Sequence, residues 1–254
     1  MIIWIIGHIL AVCIGLSLGL MGGGGSILAV PVLVYIMGMG AKEAIAMSLA
    51  IVGSVSLLGV VSHWRQGNVN LKTFAIFTPT AMAGAYLGAR LASLPWITDT
   101  VQMICFGAIA FLASVLMLFR TNKPAPSAKP ASPSRYSKWL LIPAGGLGVG
   151  VLTGFVGVGG GFAIVPVLVL VAGIPMKEAV GTSLLIISFN AIAGIMGYLG
   201  QAAIDWNLAL SMAIAASAGT LGGAYLNQFI DARRLQKLFG FFVLGVATVV
   251  LLQH

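Results

Sequence analysis

Acidic side chains are nearly missing from this chain. Asp and Glu together number five in 254 residues, and Lys and Arg add only thirteen. At 7% charged residues, against about 25% in soluble domains, a core of this length could not be given a water-facing surface. Cysteine is scarce as well. Cys13 and Cys105 lie in apolar stretches and form no Cys-x-x-Cys pair, which excludes a disulfide framework or a thiol relay and leaves them as small packing residues. No grouping of His, Cys, Asp or Glu has metal-ligand spacing, so no metal and no cofactor is expected. His8 and His63 are isolated, and His63, beside Trp64 and Arg65 at a helix end, reads as interfacial. Met1-Ile-Ile-Trp-Ile-Ile lacks the positive n-region of a cleavable signal peptide and reads as the start of a first membrane helix. What abounds is apolar: 59% hydrophobic residues and a mean hydropathy of +1.08. These features define an all-α, multi-pass integral membrane protein. The net charge of +8 falls in loops, as membrane orientation requires, and does not point to nucleic acid.

The apolar sequence is written twice. Gly19-Leu-Met-Gly-Gly-Gly-Gly-Ser-Ile-Leu-Ala-Val-Pro-Val-Leu-Val34 matches Gly154-Phe-Val-Gly-Val-Gly-Gly-Gly-Phe-Ala-Ile-Val-Pro-Val-Leu-Val169 at an offset of 135. At the same offset Lys42-Glu43-Ala44 falls on Lys177-Glu178-Ala179, Ser48 on Ser183, Gly59 on Gly194, Gly84 on Gly219 and Gly88 on Gly223. Over residues 19–91 about a third of positions are identical, beyond what chance supplies. A duplicated apolar chain with a glycine break at matching places has the pattern of a secondary transporter, in which broken helices of two repeats meet to form the substrate site.

About 20 apolar residues cross a bilayer. Apolar stretches occur at 2–21, 26–39, 44–62, 73–91 and 97–119, then at 139–157, 161–174, 179–199, 206–229 and 235–252. The chain thus divides into a first transmembrane repeat (1–119), a Pro/Ser/basic linker (120–138) and a second transmembrane repeat (139–254). The run 2–39 would extend roughly 55 Å as one helix, against a hydrocarbon core of about 30 Å. It must break, and Gly22–Gly25 is the place. The chain then either returns as a short second span or forms a re-entrant hairpin, and both give each half an odd number of crossings. Two odd halves point in opposite directions and form inverted repeats. With a cytoplasmic linker this puts eleven of the Lys and Arg residues inside and only Lys42 and Arg90 outside, as the positive-inside rule favours. Both termini are then outside.

The glycine clusters carry the chemistry expected of the site. Three or more glycines in a row interrupt a helix and leave backbone N–H groups that protein, water or ligand must satisfy. Where a helix restarts, at Ser26 and Phe162, its N-terminal N–H groups and dipole attract an anion. Gly22, Gly24, Gly25 and Ser26, with Gly157, Gly159, Gly160 and Gly161, are therefore the candidate substrate-binding backbone, Gly24 and Gly159 at its centre. A hinge without ligand is the bland alternative. Ser48, Ser183 and Asn190 lie in otherwise apolar helices and are candidate lining side chains, against a purely interhelical hydrogen-bonding role. Glu43 and Glu178 open those helices as candidate gating or coupling carboxylates, against a simple solvated helix start. Gly84-x3-Gly88 and Gly219-x3-Gly223 read as helix packing.

The pattern Gly-x-Gly-Gly-Gly-x4-Pro at Gly157–Pro166, its variant at Gly22–Pro31 with Ser26 for the last glycine, and the following Lys-Glu-Ala turns resemble the TauE/SafE sulfite exporter family. The resemblance covers nearly the whole chain. It implies an inner (plasma) membrane permease that exports sulfite, organosulfonates or related small anions. Partners are then the bilayer and a small anionic substrate, with a homodimer left open. The alternatives are a cation carrier or passive channel, since carbonyl-lined sites can bind cations, and, with less support, an intramembrane hydrolase built on Ser26 and His63. The second copy has Gly161 where a nucleophile would stand, so no enzyme is expected.

Overall fold

The computed structural model describes residues 2–92, 94, 97–120, 135–156, 161–199 and 204–252, and among them every regular element is helical. The order is α1 (Ile2–Met21), a 3-10 segment (Gly22–Leu28), α2 (Ala29–Pro31), a π segment (Val32–Ile36), α3 (Ala41–Arg65), α4 (Leu71–Ala92) and α5 (Asp99–Arg120). Then follow α6 (Arg135–Val156), α7 (Gly161–Val167), a second π segment (Leu168–Ala172), α8 (Met176–Tyr198), α9 (Trp206–Asn227) and α10 (Ala232–Leu252). Of the expected linker, Arg135–Lys138 is already helical, and 121–134 lies outside the described residues. Among the described residues, six helical stretches are long and apolar enough to cross a membrane: Ile3–Ile36, Lys42–Arg65, Thr100–Leu118, Met176–Tyr198, Trp206–Asn227 and Ala232–Leu252. The chain is a multi-pass helical membrane protein.

The broken segments show how the local sequence acts. Gly22 takes a left-handed backbone (φ +67°), and the chain winds into a tighter 3-10 coil instead of stopping. The expectation that the glycine run lies bare is corrected: it is itself helical, because the missing side chains permit close winding and close neighbours. Pro31 and Pro166 carry no N–H, and directly or almost directly after each the helix widens to a π coil. Both coils end at a left-handed glycine, Gly38 and Gly173, with Met39 N donating to Leu33 O and Ile174 N to Leu168 O.

Glycine contacts fix the helix directions. Gly15 abuts Ala216 and Gly19 abuts Thr220, while Gly219 and Gly223 abut Val12 and Leu16, so α1 and α9 lie side by side in the same direction. Gly84 and Gly88 on α4 do the same against Gly150–Phe155 of α6, with Gly150 on Ala81 and Gly154 on Ala85. The small-residue rows thus serve packing, as expected. Residue α3 Gly59 meets Thr220, and Gln66 Nε2 donates to Ala224 O at 3.2 Å, making α3 parallel to α9 and therefore to α1. The intervening stretch has to come back. It does so along α1, with Gly25 against Ile14 and Leu18 and the Met37 sulfur against Gly7. Helices α3 and α8 cross antiparallel, pairing Leu49 with Gly194, Gly53 with Ala191 and Gly59 with Leu184. Helices α5 and α10 are antiparallel too: Gly107 lies on Leu251, Gly240 on Leu118, and Gln236 Nε2 donates to Met117 O at 3.2 Å.

Candidate functional site

The 3-10 segment that follows α1 and the start of α7 cross. Gly23 and Gly161 meet backbone to backbone, so close that a side chain on either would collide with the other's Cα. Beside the crossing, Gly22 faces α8: a Cβ there would lie 2.6 Å from Ser183 Oγ and 2.9 Å from Val180 O. Gly24 faces the Phe239 ring (3.0 Å to an added Cβ), and Gly25 faces α1. Ser26 is fully buried and donates to Gly23 O at 2.6 Å. Of the second cluster only Gly161 can be placed, since Gly157, Gly159 and Gly160 lie outside the described residues.

Helix α8 brings Ser183 to this crossing. Ser183 and Asn190 are seven residues apart, two helical turns, and so share a face. Both are buried. Ser183 Oγ donates to Val180 O at 2.8 Å, whereas Asn190 has no partner for either Nδ2 or Oδ1. An amide left unpaired at 1% exposure costs free energy on the order of 1–3 kcal/mol. On α3, Ser48 is buried and donates to Ile45 O at 2.9 Å. The structure therefore joins Ser183 to Gly22 and puts Asn190 on the same face, while Ser48 occupies the matching place on α3. Glu43 is exposed at the start of α3. Glu178 is half-buried and accepts from Asn70 Nδ2 at 3.2 Å, and Asn70 Oδ1 in turn caps α4 by accepting from Thr73 N.

A second set of residues completes the breaks, and sequence reasoning missed it. A helix that ends inside a membrane protein exposes its last carbonyls, and these need donors. At the end of α1, His63 Nε2 lies 2.9 Å from Gly19 O and Asn227 Nδ2 donates to Leu20 O. In the last described turn of α6, Tyr198 OH donates to Gly154 O at 3.2 Å, and Gln102 Nε2 donates to Phe155 O at 2.9 Å. His63 and Tyr198 are 135 residues apart, as are Gly19 and Gly154. The repeat keeps this clamp while changing the residue type. The interfacial reading of His63 is thereby corrected: it is fully buried against Gly19 and Gly181, because its ring is the donor the broken helix needs. The offset was the signal that could have found it. Among the described residues no three His, Cys, Asp or Glu side chains gather as metal ligands.

Fold and centre together define a multi-pass helical membrane protein built around two interrupted helices. The model of the sulfite exporter TauE/SafE family matches residues 8–250, and the chain belongs to that family. It is 31% identical to a "Probable membrane transporter protein" of Xylella fastidiosa (strain 9a5c) over 94% of this chain and 91% of the relative. It is 29% identical to "Probable membrane transporter protein YdhB" of Bacillus subtilis over 84% of each. It is 26% identical to "Probable membrane transporter protein YunE" of the same organism, over 89% of this chain and 91% of the relative. No solved structure matches. The protein is a membrane transporter of the TauE/SafE family, not an enzyme, and its helices are consistent with a bacterial plasma membrane.

Proposed function

We propose that this protein is a secondary transporter, working as an exporter, of small anions such as sulfite or organosulfonates. The two halves, 1–119 and 139–254, act as inverted repeats that alternate access to a site where their broken helices cross. The inverted arrangement is supported by the antiparallel packing of equivalent helices, α3 on α8 and α5 on α10. The parallel pairs α1–α9 and α4–α6 agree with it, because each joins a helix of one half to the non-equivalent helix of the other. Glu43 and Glu178, at equivalent helix starts, are the proposed gating carboxylates, Glu178 being tethered to Asn70.

The observation that carries the substrate reading is the unpartnered amide of Asn190, buried on the face of α8 that also presents Ser183 to Gly22. Its two N–H donors suit an anionic oxygen, and its carbonyl suits a proton donor on the same molecule. Hydrogen sulfite, with one O–H, and aminosulfonates, with an ammonium, have both features. The described interior offers no buried Lys or Arg, so the anion would be held by neutral dipoles, as broken-helix transporters hold theirs. The test is a thermal-shift screen of the purified chain against sulfite, sulfate, thiosulfate, sulfoacetate, taurine and simple carboxylates. A ligand of the folded state at a hundred times its Kd stabilises by about 2.7 kcal/mol. Sulfite or a sulfonate should raise the transition, and labelled sulfite should move in proteoliposomes. Stabilisation by cations alone would replace this reading with the cation carrier.

A further inference from the structure

We propose that His63 is the proton-binding group of this transporter and that it takes up a proton when the anion binds at the helix break. The proposal rests on the anion reading above. Among the described residues with buried side chains, His63 is the one base of a type whose ordinary titration falls in the physiological range, and no buried Lys, Arg, Asp or Glu accompanies it. Its Nε2 lies on Gly19 O, so that nitrogen carries a hydrogen in either charge state. Its Nδ1 is buried without a partner. The neutral ring therefore keeps a vacant acceptor whose natural occupant is a proton.

Position links that proton to the anion. Gly19 lies one turn before Gly22, and His63 packs on Gly181 while Gly22 packs on Val180 and Ser183, within the same turn of α8. The carbonyl that holds the imidazole, Gly19 O, thus lies one turn before the proposed anion contact at Gly22. In a buried site a charge is costly unless paired, so anion and proton stabilise each other. The charged or titratable groups on the surrounding elements are all peripheral. Helix α1 carries only His8, near its other end, and exposed Cys13, more than a turn before Gly19. Helix α3 ends in exposed Arg65, and α4 begins beside exposed Lys72. Helix α8 begins with Lys177, bonded to Gln228 O, and Glu178, bonded to Asn70; the last turn of α9 has no charge. The polar loop Gln66–Asn70 follows directly on this helix end, with Asn68 N donating to His63 O at 2.9 Å and Asn68 O against Gly181. Through this loop Nδ1 takes its proton from water as the anion enters and returns it when the anion leaves.

The second repeat supplies the control. Tyr198 stands in the equivalent place and makes the same bond to its helix end without titrating in this range. The experiment measures the affinity of the full chain in nanodiscs for sulfate and methanesulfonate, whose charges stay constant between about pH 5 and pH 8, the range in which histidine titrates. The wild type should gain on the order of tenfold in affinity from pH 8 to pH 5. His63→Tyr should bind with no such gain, and His63→Gln, which keeps a donor for Gly19, provides the same reading should the larger ring fail to fold. A gain that survives in the variants, or a flat wild-type profile, overturns the role of His63 and leaves the anion reading standing. No binding of either probe by folded wild type overturns the role of His63, and it overturns the anion reading as well if sulfite and taurine also fail to stabilise the protein.

Discussion

At the residue scale, a few side chains are in places that folding alone does not reward. Most polar groups in the described helices are satisfied locally: Ser54, Ser188 and Ser217 each donate to the carbonyl four residues back, a bond that costs a membrane helix little. Asn190 has no such escape, because its amide carries more donors and acceptors than its own helix can meet. Replacing it by a leucine of similar bulk removes the unpaired groups. Asn190→Leu should raise the thermal stability of the ligand-free protein by about 1–3 kcal/mol while abolishing the stabilisation by sulfite or sulfonates. A scan of both proteins with and without ligand checks this, and a destabilised Asn190→Leu would mean the amide has a structural partner.

At the element scale, glycine does two different jobs in one cluster. Gly23 is pressed on the backbone of Gly161, which cannot move aside without displacing α7. Gly24, one residue on, faces the ring of Phe239, which can rotate. Gly23→Ala should therefore lose most of its folded fraction in detergent, since forcing volume into a tight contact costs typically 1–3 kcal/mol and more where backbone is opposed. Gly24→Ala should remain largely folded. Comparing monodisperse yield of the two variants decides whether the crossing is as rigid as the packing requires. If Gly24→Ala folds and still responds to anions, the backbone at Gly24 is not a contact of the ligand, and the site centres on Gly22, Ser183 and Asn190.

At the scale of the whole molecule, the contacts that hold the two halves together cross between them. Helix α1 lies on α9, α4 on α6, α3 on α8 and α5 on α10. Neither half is a free-standing bundle, so a rocking motion must slide small-residue seams past each other. The proposed topology makes a direct prediction. In a chain with Cys13 and Cys105 replaced, cysteines placed in the 121–138 linker and near Arg233 should react only from the cytoplasmic side, and one near Lys42 only from outside. Labelling of Lys42 and Arg233 positions from one side would rule out inverted repeats.

The sequence by itself determined the solvent, the duplication and the places where helices break. Those properties are local or periodic: hydropathy, an offset of 135, glycines in a row and a proline a fixed distance on. Tertiary structure alone decided which way the chain turns after Gly22, that Gly23 meets Gly161, that His63 is inside and that Asn190 goes unpaired. In a membrane protein, lipid-facing and protein-facing helix surfaces are both apolar, so hydropathy does not separate them. The clamp on the broken helix ends joins residues far apart in the chain and uses histidine in one half and tyrosine in the other. Only the requirement that every carbonyl ending inside the membrane find a donor unites them, and that requirement is met in space, not along the chain.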